Sequence, residues 1–471
     1  MMLSICSNWS GREQLSLSIN NKHCSSLHFV GILGSGMSAI AQYCAWYGIR
    51  VSGSDRSCGK GEVVDIQKGL ESAGCTIYPQ DGSGVAGSDA VIVSTAIEDS
   101  NKDIIAAKKH AVPVFHRSDA LAAIVAEKKT IAVAGTSGKS TVVAMIFELL
   151  SHCGKSPSLI TGAGLNSLVR KGYIGNAWYG ESDILVIEAD ESDGTLVKYS
   201  PDCGIVLNIS KDHKAVGETL ELFVTFAKQS KSVVVNADDP ILSSIPADIT
   251  FGTENKSTCG ATSITCNPLS SGIQFDNTHY TVPVPGYHNA LNALAALCIC
   301  KHYGCDSGLL SLALSRYQGI KRRFTFYKVA HDIIVVDDYA HNPSKIYAAI
   351  KTAQTISPRV FALFQPHGFQ PTRFLKNELI TTFAETLRGS DTLLLLPIYY
   401  AGGTVAKDIS SGDIAQALKE KEFVIYAPES RGDAIGFLDE RIQKGDCVLS
   451  MGARDPSLEL FARDITAALK K

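Results

Sequence analysis

Short apolar runs alternate with stretches of helical length along the chain, and many of these runs end in glycine or acidic residues. Runs of this kind predict buried strands, and strands that alternate with helices predict parallel sheets. The runs that predict strands are residues 27–31, 50–55, 90–94, 112–115, 131–134, 183–188, 203–208, 332–337, 359–364, 393–396 and 446–450.

These runs fall into three segments behind a polar N-terminus. Residues 1–26 are rich in serine and asparagine without an apolar stretch, which predicts a flexible tail and no secretory signal. Residues 27–125 begin as a Rossmann-like fold does, with a strand, a Gly-rich turn and a helix. Residues 126–324 open on a second Gly-rich turn, and residues 325–471 again alternate strands with helices. The sequence predicts an α/β protein of three domains.

The most specific pattern is the turn after the predicted strand 131–134. It has the order G-x-x-G-K-S-T, which is shorter than the common phosphate-binding loop, and it precedes a predicted helix over 142–150. Glycines let such a turn wrap an anion, the lysine neutralises a phosphate, and a hydroxyl holds magnesium. The alternative is an ordinary strand–helix turn. The residues predicted to bind a nucleoside triphosphate are Gly135, Thr136, Ser137, Gly138, Lys139, Ser140 and Thr141.

The first segment contains another Gly-rich turn. Its glycines, Gly31, Gly34 and Gly36, have the order G-x-x-G-x-G, whereas dinucleotide-binding proteins have G-x-G-x-x-G. This order argues against a dinucleotide but suits a diphosphate at the N-terminus of the helix that extends to about Tyr47. The next strand ends in Asp55, which is placed to meet a ribose.

Two polar motifs follow strands of the middle segment. Glu188 ends a strand and precedes the acidic run 189–193, and we favour a magnesium ligand there over a solvated acidic turn. His213, after the strand 203–208, is either a second metal ligand or an ordinary polar residue, and its spacing favours neither.

Further polar groups gather at helix and strand ends later in the chain. His288, Asn289 and Asn292 start an Ala-rich helix, where they either suit an adenine edge or belong to a structural Pro-Gly turn. In the last segment, acidic, aromatic and histidine-containing loops follow the strands, at the edge where open α/β sheets form their binding crevice.

Composition narrows the class of protein. The 471 residues are 45% hydrophobic and 19% charged, with a formal net charge of −3, which argues against a nucleic-acid-coating role. No apolar run has the length of a membrane span, so we expect no membrane insertion. The 13 cysteines include no C-x-x-C pair, which predicts reduced thiols in a cytoplasm and neither a zinc site nor a disulfide framework.

Taken together, these motifs resemble the Mur ligase family of peptidoglycan synthesis from His28 onward. Within the family the chain is most similar to the members that join L-alanine to UDP-N-acetylmuramate. The passages that carry the resemblance are residues 31–41, 52–55, 135–141, 188–193, 212–213, 288–289, 322–324, 337–343 and 364–367.

The resemblance implies a reaction and a division of labour. A Rossmann-like N-terminal domain would hold the UDP-sugar, a central P-loop ATPase-type domain the ATP, and a Rossmann-like C-terminal domain the amine. ATP and Mg2+ would convert the substrate carboxylate into an acyl phosphate, which the amine of an amino acid or short peptide then attacks. Domain closure would bring the C-terminal residues to the nucleotide.

The same resemblance assigns residues to these roles. Catalysis is assigned to Lys139, Glu188 and His213, and the metal to Ser140, Glu188 and His213. The nucleotide is assigned to the phosphate loop with His288, Asn289, Asn292, Arg323 and Asp338. The UDP-sugar is assigned to Gly34, Ser35, Gly36, Met37, Ser38, Asp55, Ser94 and Thr95, and the amine to His341, His367 and Arg373.

Several positions depart from the alanine-adding pattern. Ser137 stands where a histidine is usual, Asn342 stands where a second histidine is usual, and Gly368 stands where a basic residue is expected. The loop after 212–213 also lacks the usual aspartate and tyrosine. These departures keep a second ligase open, one that returns a recycled peptide to UDP-N-acetylmuramate.

Two alternatives of another class are a nicotinamide-dependent dehydrogenase and a non-catalytic nucleotide-binding regulator. A dehydrogenase would explain Asp55 but neither the phosphate loop nor Glu188. A regulator has no need of Lys139, Glu188, His213 and Asp338, which this chain retains. The sequence leaves the oligomeric state open.

Overall fold

The computed structural model describes residues 15–59, 63–211, 214–254, 257–329, 332–400 and 406–469. The chain divides into two compact units. The first contains the residues up to Gly135 together with Val142–Leu207 and Gly217–Thr250, and the second contains Thr136–Thr141, Asn208–Val216 and the residues from Phe251. The boundaries predicted for the three segments stay a prediction.

The first described elements are a hairpin that the sequence analysis did not predict. β1 (Leu17–Ile19) and β2 (Lys22–Cys24) pair antiparallel across two asparagines at 20–21, which have positive φ angles of 47° and 65°. One face of the hairpin is buried. The flexible tail expected over 1–26 is therefore wrong for this stretch, because alternation of apolar side chains gives it a face to bury. Residues 1–14 lie outside the described part.

A five-stranded parallel sheet follows. Its elements are β3 (Ser26–Val30), α1 (Ser35–Tyr47), β4 (Arg50–Ser54), α2 (Val64–Ser72), β5 (Thr76–Tyr78), β6 (Ala90–Val93), α3 (Lys102–Lys109), β7 (Val114–His116) and α4 (Arg117–Ala126). The strand order is β5-β4-β3-β6-β7, and every pairing is parallel. β3 is buried at every position, as a strand covered on both faces should be.

The other sheet of the first unit contains the strand that leads into the phosphate loop. Its elements are β8 (Lys129–Ala134), α5 (Lys139–His152), β9 (Ser158–Ile160), α6 (Asn166–Val169), β10 (Ala177–Trp178), β11 (Ile184–Glu188), a 3-10 turn (Thr195–Lys198), β12 (Cys203–Val206), α7 (Val216–Gln229), β13 (Ser232–Asn236) and a 3-10 turn (Pro240–Ser244). β8 pairs in parallel with β11 and β12. α5 begins three residues before the predicted 142, because the polar residues of the loop form its first turn.

The second unit contains an antiparallel meander that the prediction of an all-parallel central sheet missed. Its elements are β14 (Ile249–Gly252), where the units divide, β15 (Cys259–Asn267), β16 (Ser270–Phe275), β17 (Thr278–Val282), α8 (Tyr287–His302) and α9 (Ser307–Ser315). β15, β16 and β17 pair antiparallel. A disulfide joins Cys259 of β15 to Cys298 of α8, with a Cα–Cα distance of 6.0 Å. The expectation of reduced thiols is wrong for this pair, because folding brings together two cysteines that are 39 residues apart.

The last sheet has six strands. Its elements are β18 (Thr325–Lys328), β19 (Ile334–Asp338), α10 (Pro343–Ile356), β20 (Val360–Gln365), α11 (Phe369–Phe374), α12 (Lys376–Thr386), β21 (Thr392–Leu395), α13 (Ser411–Ala417), β22 (Val424–Tyr426), α14 (Arg431–Arg441), β23 (Cys447–Gly452) and α15 (Leu458–Ala468). The order is β18-β19-β23-β20-β21-β22, and only β18 of these pairs antiparallel among the described strands. Apolar clusters cover both faces, so the polar groups of the sheet lie at its ends.

Candidate functional site

The shape of the phosphate loop depends on a glycine with a positive φ angle. Gly138 has a φ of +86°, which favours glycine, and a Cβ placed there would lie 2.5 Å from Asn292 Oδ1. The structure therefore packs Asn292, a predicted nucleotide residue from α8, directly against the loop. Ser140 and Thr141, in the first turn of α5, are largely buried. The backbone can approach an anion closely here because Gly138 has no side chain.

Asn208 also holds the loop, although it is not among the residues predicted from the sequence. Its Oδ1 accepts hydrogen bonds from the Ser137 backbone N–H (2.9 Å) and the Thr136 hydroxyl (3.1 Å), and its Nδ2 donates to the Ser137 carbonyl (3.0 Å). Thr136 Oγ1 also lies 2.9 Å from Ser210 Oγ. The Ser137 hydroxyl is buried without a hydrogen-bond partner in the described residues. The available signal was an asparagine at the last position of the predicted strand 203–208.

Substitution of Gly138 by alanine is expected to raise the KM for ATP about tenfold. The loop should relieve the strain of an L-residue in the left-handed region, roughly 1–2 kcal/mol, by leaving the shape that meets ATP, and a loss of about 1.4 kcal/mol in binding corresponds to a factor of ten. The new Cβ would also displace Asn292. Gly154→Ala is the matched control, since Gly154 has a φ of +72° but nothing within 4 Å of a Cβ. Initial rates at varied ATP measure the effect, and an equal KM in the two variants would contradict it.

The start of α8 carries the residues predicted to meet the adenine. Asn289 is buried, and its Nδ2 donates to the Pro285 carbonyl at 2.8 Å, so this amide stabilises the turn before the helix. Burial lowers the pKa of His288; the Arg323 guanidinium acts in the same direction, and the Asp338 carboxylate opposes it. His288 is therefore a neutral imidazole at physiological pH and lies within electrostatic reach of two other predicted nucleotide residues.

Asp338 organises the chain before β18 instead of lying free at the strand end. Its carboxylate accepts hydrogen bonds from the backbone N–H groups of Phe324 (2.8 Å) and Ala340 (2.7 Å). Arg323 lies with its guanidinium 5.0 Å from the ring centroid of Tyr339, in a cation–π contact. The predicted nucleotide residues Arg323 and Asp338 are therefore fixed at the same end of the antiparallel pair β18–β19.

A buried ion pair lies at the same end of the strand pair β18–β19. Arg322 pairs with Asp337 at 3.3 Å and donates to the Gly452 carbonyl at 2.8 Å. Burial raises the pKa of Asp337 to about 6; the Arg322 guanidinium opposes the rise, and Asp338 adds to it. Arg322 therefore links β19 to β23. Arg323 contacts the ring of Tyr339.

Two of the three predicted amine residues come together, and the third does not join them. The rings of His341 and His367 are 5.5 Å apart between centroids. His341 Nδ1 lies 2.9 Å from the Tyr339 carbonyl, which can only accept, so Nδ1 carries the proton. Burial holds the pKa of His341 well below its ordinary value. Arg373 instead forms an ion pair with Asp408.

The first unit contains the predicted UDP-sugar residues around the start of α1. Gly34 precedes the helix without a side-chain cap, so the first backbone N–H groups of α1 gain no hydrogen bond from a capping side chain. A Cβ at Gly36 would lie 2.5 Å from Arg117 Nη1, which brings a guanidinium against the first turn. Arg117 also pairs with Asp193 at 2.9 Å. Arg117 is not among the residues predicted from the sequence, and its only local signal is a basic residue two positions after the predicted strand 112–115.

The remaining predicted UDP-sugar residues divide into exposed and structural positions. Asp55 accepts hydrogen bonds from the backbone N–H groups of Leu33 (3.2 Å) and Ser57 (2.9 Å), which shapes the turn before α1. Met37 and Ser38 are buried in the helix. Ser35 begins α1, and Ser94 and Thr95 follow β6 at the same edge of the sheet, with Thr95 exposed.

Glu188 lies beside the strand that enters the phosphate loop. In the register of the sheet it pairs with Val133, two residues before Gly135. Its Oε1 accepts hydrogen bonds from the Thr161 hydroxyl and from the Gly162 backbone N–H (2.9 Å). These donors engage one carboxylate oxygen and leave Oε2 without a hydrogen bond among the described residues. This oxygen suits a hard cation.

The second predicted metal ligand, His213, lies outside the described residues, as does Asp212. Within the described ranges, no cluster of three or more histidine, cysteine or acidic side chains has the arrangement of a metal site. No described helix combines the length and apolarity that crossing a bilayer requires.

Comparison with known proteins matches the chain to three domain families in succession. Residues 26–129 match "Mur ligase family, catalytic domain", residues 133–300 match "Mur ligase middle domain", and residues 322–454 match "Mur ligase, glutamate ligase domain". A UDP-N-acetylmuramate–L-alanine ligase of Desulfosudis oleivorans is 33% identical over 461 residues, which cover 91% of this chain and 95% of that protein.

Solved structures give the same picture. The crystal structure of a UDP-N-acetylmuramate-alanine ligase from Thermotoga maritima matches with a TM-score of 0.77 at 28% identity, over 94% of this chain and 99% of that one. A murein peptide ligase from Psychrobacter arcticus matches with a TM-score of 0.66 at 21% identity, over 95% and 99%, which supports the fold alone. The predicted three-domain α/β fold is confirmed.

Proposed function

The chain belongs to the Mur ligase family, and on this premise we propose that it joins an amino acid to the carboxylate of UDP-N-acetylmuramate at the expense of ATP. The protein is an ATP-dependent amide ligase of peptidoglycan synthesis. L-alanine is the proposed amino acid, because the relative from Desulfosudis oleivorans is named for it and is matched over 95% of its length. ATP and a UDP-sugar are made in the cytoplasm, which is the proposed location.

The reaction has two steps that balance. First, a carboxylate oxygen of UDP-N-acetylmuramate takes the γ-phosphoryl group of ATP, which gives an acyl phosphate and ADP. The amine then attacks the acyl carbon, inorganic phosphate leaves, and the amine gives up a proton as the amide forms. Lys139 and the N-terminal amides of α5 stabilise the charge on the transferred group, and Asn208 holds the loop in shape.

The residues of this chain also fit Mg2+. Glu188 offers a carboxylate oxygen and Ser140 a hydroxyl, and magnesium prefers oxygen ligands of this kind. When bound, the ion would neutralise phosphate charge during the transfer. We propose these two residues, with His213, as its protein ligands.

Similarity over 91% of the chain carries this proposal. The family models match residues 133–300 and 322–454, which include the phosphate loop, Glu188 and the loops after β19 and β20. The packing of Asn292 against Gly138 supports nucleotide binding independently of any relative. A nicotinamide-dependent dehydrogenase has no support from the family, and a regulator would not require the ATP-dependent chemistry of the family. A peptide-recycling ligase differs only in the acceptor.

Release of ADP tests the proposal directly. ATP, Mg2+ and UDP-N-acetylmuramate are supplied with L-alanine, with other amino acids, or with the L-alanine-containing peptides of the cell wall. We expect L-alanine to stimulate ADP release and to appear in an amide product detected by mass spectrometry. Stimulation by a peptide alone would favour the recycling ligase. If none of these acceptors stimulates ADP release, the ligase assignment is rejected.

A further inference from the structure

Three neighbouring parallel strands of the second unit end side by side. In the register of the sheet, Met451 of β23 pairs with Asp338 of β19 on one side and with Phe364 of β20 on the other. The loops after β19 and β20 carry the histidine pair described above, and the loop after β23 carries Arg454. Binding crevices of open α/β sheets form at this edge.

Arg454 has a backbone conformation that costs free energy. Its φ is 64°, in the left-handed region that favours glycine, and its side chain is exposed. Its backbone N–H donates to the Tyr339 hydroxyl at 3.4 Å. Its guanidinium makes no hydrogen bond or ion pair within the described part of the chain. A residue with a strained backbone whose side chain neither packs nor pairs is typical of a binding site.

Three other arginines near this edge are already paired, and a fourth, Arg323, contacts the Tyr339 ring and is a predicted nucleotide residue. Arg322 pairs with Asp337, Arg431 pairs with Asp455 at 2.6 Å, and Arg373 pairs with Asp408. An amino acid acceptor brings a negative carboxylate next to its attacking amine, and such a group needs a cation when it binds. Arg454 offers that cation at the strand ends without first breaking an ion pair.

We propose that Arg454 binds the carboxylate of the amino acid acceptor, an assignment that rests on the proposed function. The planar guanidinium matches a carboxylate with two parallel hydrogen bonds, which a lysine ammonium does not reproduce. Arg454 exchanges no proton in the reaction. It positions the acceptor through the group beside the amine, and it selects amino acids with a free carboxylate over their amides.

Arg454→Gly tests this assignment because glycine also removes the backbone strain. We expect the KM for L-alanine to rise roughly 10- to 100-fold, as for a lost hydrogen-bonded charge pair, with kcat and the KM for ATP little changed. The midpoint of thermal unfolding should stay the same or rise, which separates a binding defect from a folding defect. Arg454→Lys should recover only part of the affinity.

Matched measurements sharpen the test. The wild-type enzyme should use L-alaninamide, which lacks the carboxylate, far less well than L-alanine, and Arg454→Gly should abolish that preference. Arg316→Ala removes an exposed arginine of the same unit and should leave both substrates unaffected.

The outcomes are distinguishable. An unchanged KM for L-alanine in Arg454→Gly, or an equal loss with both acceptors, would overturn the role of Arg454 while leaving the ligase assignment intact. Absence of L-alanine-dependent ADP release in the wild-type enzyme would overturn the proposed function and the Arg454 assignment with it.

Discussion

Replacement of Lys139 by alanine is expected to lower kcat for L-alanine-dependent ADP release by about 10²–10³-fold, the usual effect of removing a group that stabilises transition-state charge. Lys139 is the first residue of α5, in the turn that the Asn208 side chain holds. This position at the N-terminus of the helix, beside the first helical N–H groups, is where a phosphate is proposed to bind. The KM for UDP-N-acetylmuramate should change much less, because the lysine acts on the group being transferred.

Lys129→Ala is the matched control. Lys129 starts β8, the strand that enters the loop, and its exposed side chain pairs with exposed Asp183 at 2.9 Å. Solvent screens an exposed pair of this kind, so its loss should matter little, and this variant should fold and turn over as the wild type does. Lys139→Arg keeps the charge but not the shape, and we expect partial activity from it. A rate of amide formation in Lys139→Ala close to that of the wild type would reject the proposed mechanism.

Glu188→Gln should lower kcat about 100-fold and raise the Mg2+ concentration needed for half-maximal activity, since a catalytic metal supplies several kcal/mol of charge stabilisation. The amide oxygen of glutamine can still accept the hydrogen bonds from Thr161 and Gly162, so the local structure should persist. What the variant loses is the negative charge that binds the ion. The measurement is a Mg2+ titration of ADP release at saturating substrates.

Asp183→Asn separates a metal effect from a general loss of negative charge. Asp183 directly precedes β11, the strand that Glu188 ends, and it is exposed. We expect its substitution to leave the Mg2+ dependence unchanged. If Glu188→Gln shows the Mg2+ dependence of the wild type, Glu188 is not a ligand of the ion, whatever happens to kcat.

The phosphate loop could be predicted from the sequence because its signal is local. The glycines, the lysine and the preceding strand are contiguous, and each has its own physical reason to be there. The hairpin at the N-terminus had a local signal as well. Leu15, Leu17 and Ile19 alternate with polar residues before two asparagines, and asparagine tolerates the positive φ of a tight turn. The prediction of a flexible tail relied on the serine and asparagine content of residues 1–26 and did not use this alternation.

Other features depend on contacts between distant residues. Nothing near Arg373 in the sequence reveals its ion pair with Asp408, and this pair separates it from the histidines. The approach of Arg117 to Gly36 likewise joins elements that are far apart in the chain. The pattern of apolar residues predicts which strands form, but it does not specify which side chains meet at their ends.

The polar contact between α1 and the middle of the chain limits how far parts of such ligases can be exchanged. Asn176 donates to the Ser35 carbonyl (2.8 Å) and the Ser38 hydroxyl (2.9 Å) and accepts from Gln42 (2.9 Å), and the side chains of Asn176, Ser38 and Gln42 are buried. A buried amide that loses its partners costs about 1–3 kcal/mol. A chimera that takes its sugar-binding segment from another ligase must therefore bring a partner for Asn176, or replace Asn176 as well. Recombination between natural homologues is under the same constraint, so these positions should be inherited together.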